Sequence, residues 1–110
     1  MKDIVSFDDF VKSDIRAGTV LAAEEVPKST KLLKLQVNFG PEGIRTILAG
    51  IAESYTPALV VGQRVLAVIN LAPRQMMGFE SHGMVLAGQD EMGKVWLATP
   101  PPVPDGTEVS

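Results

Sequence analysis

The segment over residues 31–39 is the clearest strand, and from Leu33 onward its apolar and polar side chains alternate without a break. Leu33, Leu35, Val37 and Phe39 fall on one side of an extended backbone, and Lys34, Gln36 and Asn38 on the other, because successive residues of a strand point to opposite faces. One row suits a core; the other presents a line of hydrogen-bonding groups to solvent. Ile15, Ala17, Thr19 and Leu21 alternate in the same way against Arg16, Gly18 and Val20, and a glycine inside a strand marks a bend or a close approach of backbone. Pro41-Glu42-Gly43 reads as a hairpin turn into a third strand over residues 44–49. Residues 64–71 are almost continuously apolar, the pattern of a strand buried on both faces. A fifth strand is predicted over 84–87 and, after the turn Asp90-Glu91-Met92-Gly93, a sixth over 94–98.

Two short stretches depart from the period of two. Ser6 followed by Asp9 is a capping-box pattern, and Phe7, Phe10 and Val11 recur at helical spacing, which predicts a helix over 7–12 whose apolar stripe plugs one end of a barrel. Thr56 caps a single turn begun by Pro57 and stopped by Gly62. Short strands at this spacing, with one helix between the third and fourth, are the element order of the OB-fold. The expected architecture is therefore all-β: a five-stranded OB-fold barrel with that intervening helix, an N-terminal helix and C-terminal extension strands. Residues 1–110 form one domain with enough apolar residues (45%) for a core. The proline-rich tail from Pro100 to Pro104 stands beside Trp96, Leu97 and Val103, which makes it too apolar to be simply disordered.

Charge and composition narrow the chemistry. The chain has no cysteine, so disulfides, zinc-thiolate sites and thiol catalysis are excluded. No run approaches the ~18 apolar residues of a membrane span, and the acidic N-terminus lacks a signal-like apolar segment; a cytoplasmic location is expected. The only histidine is His82, which makes no metal triad, and the adjacent Ser81 points away from it in a strand. The glycines fit no nucleotide-binding pattern. The expectation is a binding protein and not an enzyme, with no cofactor and no metal. A net charge of −3 argues against a nucleic-acid partner, but its distribution softens that: residues 28–74 hold six basic and two acidic side chains, locally +4, against −7 for the remainder.

Barrel formation alone does not explain Asn70-Leu71-Ala72-Pro73-Arg74-Gln75-Met76-Met77-Gly78-Phe79-Glu80-Ser81-His82-Gly83-Met84, read as a connecting loop with two adjacent methionines. The stretch resembles the signature of the tRNA-binding domain found at the C-terminus of methionyl-tRNA synthetases, in free-standing bacterial tRNA-binding proteins and in CsaA chaperone-like proteins. Asp14-Ile15-Arg16-Ala17-Gly18, Lys31-Leu32-Leu33-Lys34-Leu35 and Gly50-Ile51-Ala52-Glu53, with Tyr55-Thr56-Pro57 and Gly62, agree in the same order. The resemblance implies an OB-fold that grips the elbow of tRNA as a homodimer, with segments outside the barrel, the C-terminal one above all, forming the interface. It also implies a free-standing protein, with an aminoacyl-tRNA synthetase as a further partner. Ala17, the Thr56-Pro57 turn and the acidic pI near 5.0 depart from the family's usual pattern.

Lys31, Lys34 and Arg74 can neutralise phosphates, with Lys28 assisting from its loop; the competing reading of each is a solubilising surface charge. Gln36 and Asn38 can reach base edges or the 2′-hydroxyl of RNA, or serve as plain outward strand residues. Met77 and Met84 offer polarizable side chains to unstacked bases, against core filling, which is accepted for one of Met76 and Met77. Ser81 and Met84 are ligand-facing by the resemblance alone. Phe7, Phe10 and Phe39 read as internal, leaving no aromatic platform on the best strand, so recognition would rest on shape and backbone. The alternative is a CsaA-like chaperone for unfolded or export-bound polypeptide: Asn38-Phe39-Gly40-Pro41 and Ala72-Pro73-Arg74-Gln75 are similar to CsaA, whereas Met76-Met77-Gly78 and Ser81-His82-Gly83-Met84 are closer to the synthetase type. A third reading is a module that recruits a synthetase without RNA.

Overall fold

The computed structural model describes every residue, Met1–Ser110. Five antiparallel strands form the main sheet in the order β3-β2-β1-β4-β7: β1 (Ile15–Glu25), β2 (Leu33–Asn38), β3 (Ile44–Ala49), β4 (Arg64–Val68) and β7 (Met84–Val85). β1 is long enough to serve two neighbours. Its first half pairs with β4, from Ile15↔Val68 to Thr19↔Arg64, and its second with β2, from Thr19↔Asn38 to Glu25↔Leu33. The register shifts at Leu21, and such a bulge bends its strand and raises its twist. The free edge of β3 then meets the segment leading into β7: the His82 backbone N–H donates to the Thr46 carbonyl at 2.8 Å, and the Leu48 N–H donates to the Ser81 hydroxyl at 3.0 Å. The result is a nearly closed five-stranded barrel with α2 (Pro57–Val60) between β3 and β4, as the element order predicts. No helix is long and apolar enough to cross a membrane.

Leu33, Leu35, Val37 and Phe39 are at most 1% exposed and lie in the core cluster, so the predicted inner row of β2 is the barrel interior. A Cβ at Gly18 would come within 2.7 Å of the Phe39 ring; the close approach expected there is β1 crossing over that ring. Val65, Ala67 and Ile69 also enter the core, but Leu66 is only half-buried and Leu71 is exposed. β4 is thus shorter and less fully buried than its apolar run predicts. Asn70 ends it by bonding both the Asp14 N–H and the Lys12 carbonyl.

Three further expectations need correction. α1 covers only Phe7–Phe10, capped by Ser6, whose hydroxyl accepts from the Asp9 N–H at 3.0 Å. Phe7 and Phe10 are 76% and 50% exposed, so this helix plugs nothing and neither ring is internal. Val60, Ile51 and Leu97 already lie in the core, and a single helical turn has no face left to bury. Residues 70–84 are not a plain loop: β5 (Arg74–Met76) and β6 (Phe79–Ser81) form a hairpin across Met77 (φ 50°) and Gly78 (φ 85°). The fifth strand is also split. Only Met84 and Val85 pair with β4, while β8 (Ala87–Gln89) pairs with β9 (Val95–Leu97) around the predicted turn.

The tail returns to the barrel. Beside the first half of β1, where β2 has ended, the Ala17 N–H donates to the Thr107 carbonyl (3.0 Å). The Gly106 N–H donates to Ala17 (2.8 Å) and the Val109 N–H to Ile15 (2.8 Å). The Asp105 carboxylate accepts from the Thr19 hydroxyl (2.7 Å) and from Arg64 (3.1 Å).

Candidate nucleic-acid interface

The outward row of β2 and the hairpin β5–β6 share one face of the barrel. Lys34 lies across from Leu48 of β3 and Glu24 of β1. Its ammonium sits 4.5 Å from the centre of the Phe79 ring and 3.9 Å from the Glu24 carboxylate. Alternation along the hairpin puts Arg74, Met76, Phe79 and Ser81 on one face and Gln75 and Glu80 on the other, consistent with the pairs Arg74↔Ser81, Gln75↔Glu80 and Met76↔Phe79. Glu80, the hairpin's one carboxylate, is turned away from Arg74 and bonded to His82 Nε2 (2.8 Å) and Gln75 Nε2 (2.9 Å). Arg74 is exposed and makes no ion pair. With Leu48, Leu71, Met76, Ser81 and Met84 it borders a small pocket of about 60 Å³.

The structure brings only some of the sequence-predicted residues together. Lys34, Arg74, Ser81 and Met84 are neighbours around the hairpin. Met84 is 48% exposed and Met77 50%, the latter at the hairpin tip, whereas Met76 is half-buried and lines the pocket. Ser81 is 4% exposed: its hydroxyl accepts from the Leu48 N–H and donates to the Gly83 carbonyl at 3.2 Å, so it forms the pocket wall and holds the closing segment. Gln36 is occupied by the Thr46 hydroxyl (3.1 Å), and Asn38 accepts from the Gly40 N–H (2.9 Å) at the far end of β2. Lys28, at φ 66°, and Lys31 are exposed in the β1–β2 connection at the opposite end. The local +4 is not a single patch, because Arg45 bonds the Ile69 carbonyl (2.8 Å) and Arg64 pairs with Asp105.

Phe79 and Leu48 belong to this face and were not singled out in the sequence. Two strands joined by a turn at Met77-Gly78 place Phe79 opposite Met76, on the face of Arg74 and Ser81; alternation carried straight through the stretch places it on the other face. The exposed Trp96 lies apart, on β9. Its indole N–H donates to Asp90 (3.0 Å), and the Lys94 ammonium sits 4.2 Å from the ring centre. The Trp96 hydrogen bond first, and the Lys94 and Met92 N–H groups with it, hold the Asp90 carboxyl below its ordinary value.

This architecture matches known proteins over nearly its whole length. Residues 15–108 match the family model described as "Putative tRNA binding domain". The chain is 51% identical over 99 residues to a methionine–tRNA ligase of Methanococcoides burtonii and 46% identical over 110 residues to that of Flavobacterium johnsoniae. These matches cover 90% and 99% of this chain but only 14% and 15% of those enzymes. A MetRS-related protein from Pyrococcus horikoshii superimposes with a TM-score of 0.89 at 37% identity, over 99% of this chain and all of that one. The chaperone CsaA of Bacillus anthracis does so at 0.88 and 38%, over 98% of this chain and all of its own. With a family match spanning the barrel and its tail, and full-length structural relatives above 30% identity, the chain belongs to the tRNA-binding domain family.

Proposed function

We propose that this domain binds folded tRNA at its elbow, through the face formed by β2 and the β5–β6 hairpin, and that it does so as a free-standing, cytoplasmic homodimer without catalysis. The observation that carries the reading is the membership of a tRNA-binding family together with an exposed, ion-pair-free Arg74 beside the Met76–Ser81–Met84 pocket. Lys34 and Arg74 are the phosphate contacts nearest the pocket, with Lys31 and Lys28 at one flank and Gln36 and Asn38 along β2. Met77 and Met84 supply apolar contact, and Ser81 acts from behind by fixing the segment that presents Met84. An aminoacyl-tRNA synthetase is a further partner of this reading, given the similarity to methionine–tRNA ligases.

For the dimer, the fitting surface is the groove of about 360 Å³ lined by Phe7, Phe10, Val11, Ile15 and Val109. Aromatic side chains at 76% and 50% exposure gain from burial against a second copy. The second reading, a chaperone for unfolded polypeptide, is favoured by the same exposed apolar residues and by the likeness to CsaA.

The two are separated by titrating folded tRNA at two salt concentrations with a heat-unfolded polypeptide as competitor. Saturable, salt-sensitive binding that the polypeptide does not displace is the expected result; retained polypeptide affinity without tRNA binding would establish the chaperone. Replacing both Lys34 and Arg74 by Ala should reduce the salt slope of tRNA binding by about two units, one per lost phosphate contact.

A further inference from the structure

The Lys34 ammonium has two neighbours of opposite use. Glu24 lies 3.9 Å away, at the limit of an ion pair and mostly exposed, where solvent screening leaves such a pair little strength. The Phe79 ring is 4.5 Å from the same nitrogen, near the optimum for a cation over an aromatic face. Phe79 is half-buried and cannot wander: it is paired with Met76 across the hairpin, and the next inward residue of its strand, Ser81, is bonded to β3. Lys34 is held at its root by β2, between β1 and β3, with its side chain only 22% exposed. A lysine side chain carries several rotatable bonds, and ordering it costs rotamer entropy that a bound phosphate would otherwise have to meet. A ring face meets part of that cost before the ligand arrives and leaves the outer N–H groups free to donate.

Resting on the tRNA reading above, we propose that Phe79 is a positioning residue: its ring holds the Lys34 ammonium extended on the binding face, ready for a phosphate oxygen, and in turn ties the hairpin to the barrel. When a phosphate binds, the amine gives up its weak contact with Glu24 and keeps the ring. Glu24 is then the competing charge, and the ring decides the competition.

The test uses Phe79→Leu, which keeps apolar volume and removes the π face, beside Phe79→Tyr, which keeps it. In the free protein the Lys34 ε-methylene protons should resonate upfield through the ring current, in the wild type and F79Y but not in F79L. With folded tRNA, F79L should bind about 2- to 5-fold more weakly and lose about one unit of salt slope, F79Y should match the wild type, and adding Lys34→Ala to F79L should change little more. A merely structural role of Phe79 would weaken binding while leaving the slope unchanged, and that result overturns the proposal. So do unshifted Lys34 protons in the wild type. Absence of tRNA binding in the wild type defeats both readings; shifted Lys34 protons in that case locate the failure in the tRNA reading and not in the geometry.

Discussion

Gly40 and Gly106 face each other where the tail crosses the end of β2, both with positive φ, and a Cβ on either would overlap a backbone carbonyl of the opposite segment, Asp105 or Phe39. Gly43 has a similar φ of 88° but nothing within 4 Å of a Cβ. Gly43, at ψ −176°, lies in a region that only glycine adopts readily, so Gly43→Ala should cost that backbone strain alone, about 1–3 kcal/mol, and Gly106→Ala should cost more, because strain and overlap combine; urea unfolding of the two variants measures the difference. Asp90 supplies a second test at this scale. Its folded pKa lies below the ordinary 3.8, so its contribution is fully present above that value and is lost as pH falls through the lowered one. Fluorescence of Trp96, the only tryptophan, should stay constant from pH 7 to about 5 and change with a midpoint on the acid side of 3.8; Asp90→Asn should remove that transition. Neither feature was legible in the sequence, where Gly106 sits in an unpatterned tail and Asp90 is one acidic residue of a turn.

Elements with a strong period were readable and those without were not. β2 alternates over its whole length and its inner row is the core, while α2 shows itself by Thr56 and Pro57. The β5–β6 hairpin hides because its turn is Met77-Gly78 and its strands are three residues each; two-residue hairpin turns announce themselves as Asn-Gly or Asp-Gly. α1 misleads in the opposite sense, since helical spacing of Phe7 and Phe10 reports a shared face and not what covers it. The hairpin's attachment is testable through Ser81. Removing its hydroxyl leaves the Leu48 N–H without a partner, so Ser81→Ala should cost roughly 1–3 kcal/mol, and Leu48 amide exchange should accelerate more than that of Leu35. Equal protection at both amides would mean the barrel closes without this bond.

At the scale of the molecule, the tail and the N-terminal helix have different standing. Leu97 is buried in the core and Asp105 ties Arg64 and Thr19, so the segment after Gly88 is part of the barrel's own stability. Phe7 and Phe10 are outside the core, and replacing both with Asp should leave the unfolding transition in place while converting the proposed dimer of 11.8 kDa chains to monomer. Sedimentation of the wild type and the double variant decides this; a wild type that is already monomeric, or a variant that remains dimeric, removes this surface from the assembly. The family resemblance supplied the candidate site as a set of residue types, but the arrangement of those residues was not legible. Separation of Lys28, Lys31 and Asn38 from the hairpin, and the use of Arg45 and Arg64 inside the fold, depend on long-range packing that no local pattern encodes.

The five methionines are suited to locating the ligand, since Met76, Met77 and Met84 border the proposed face while Met1 and Met92 are exposed elsewhere. With methyl-¹³C methionine, adding folded tRNA at low salt should shift or broaden the Met76, Met77 and Met84 signals, leave Met92 unmoved, and reverse as salt is raised. Perturbation confined to Met92 or Met1, or none at saturating tRNA, would contradict the placement of a tRNA site on this face.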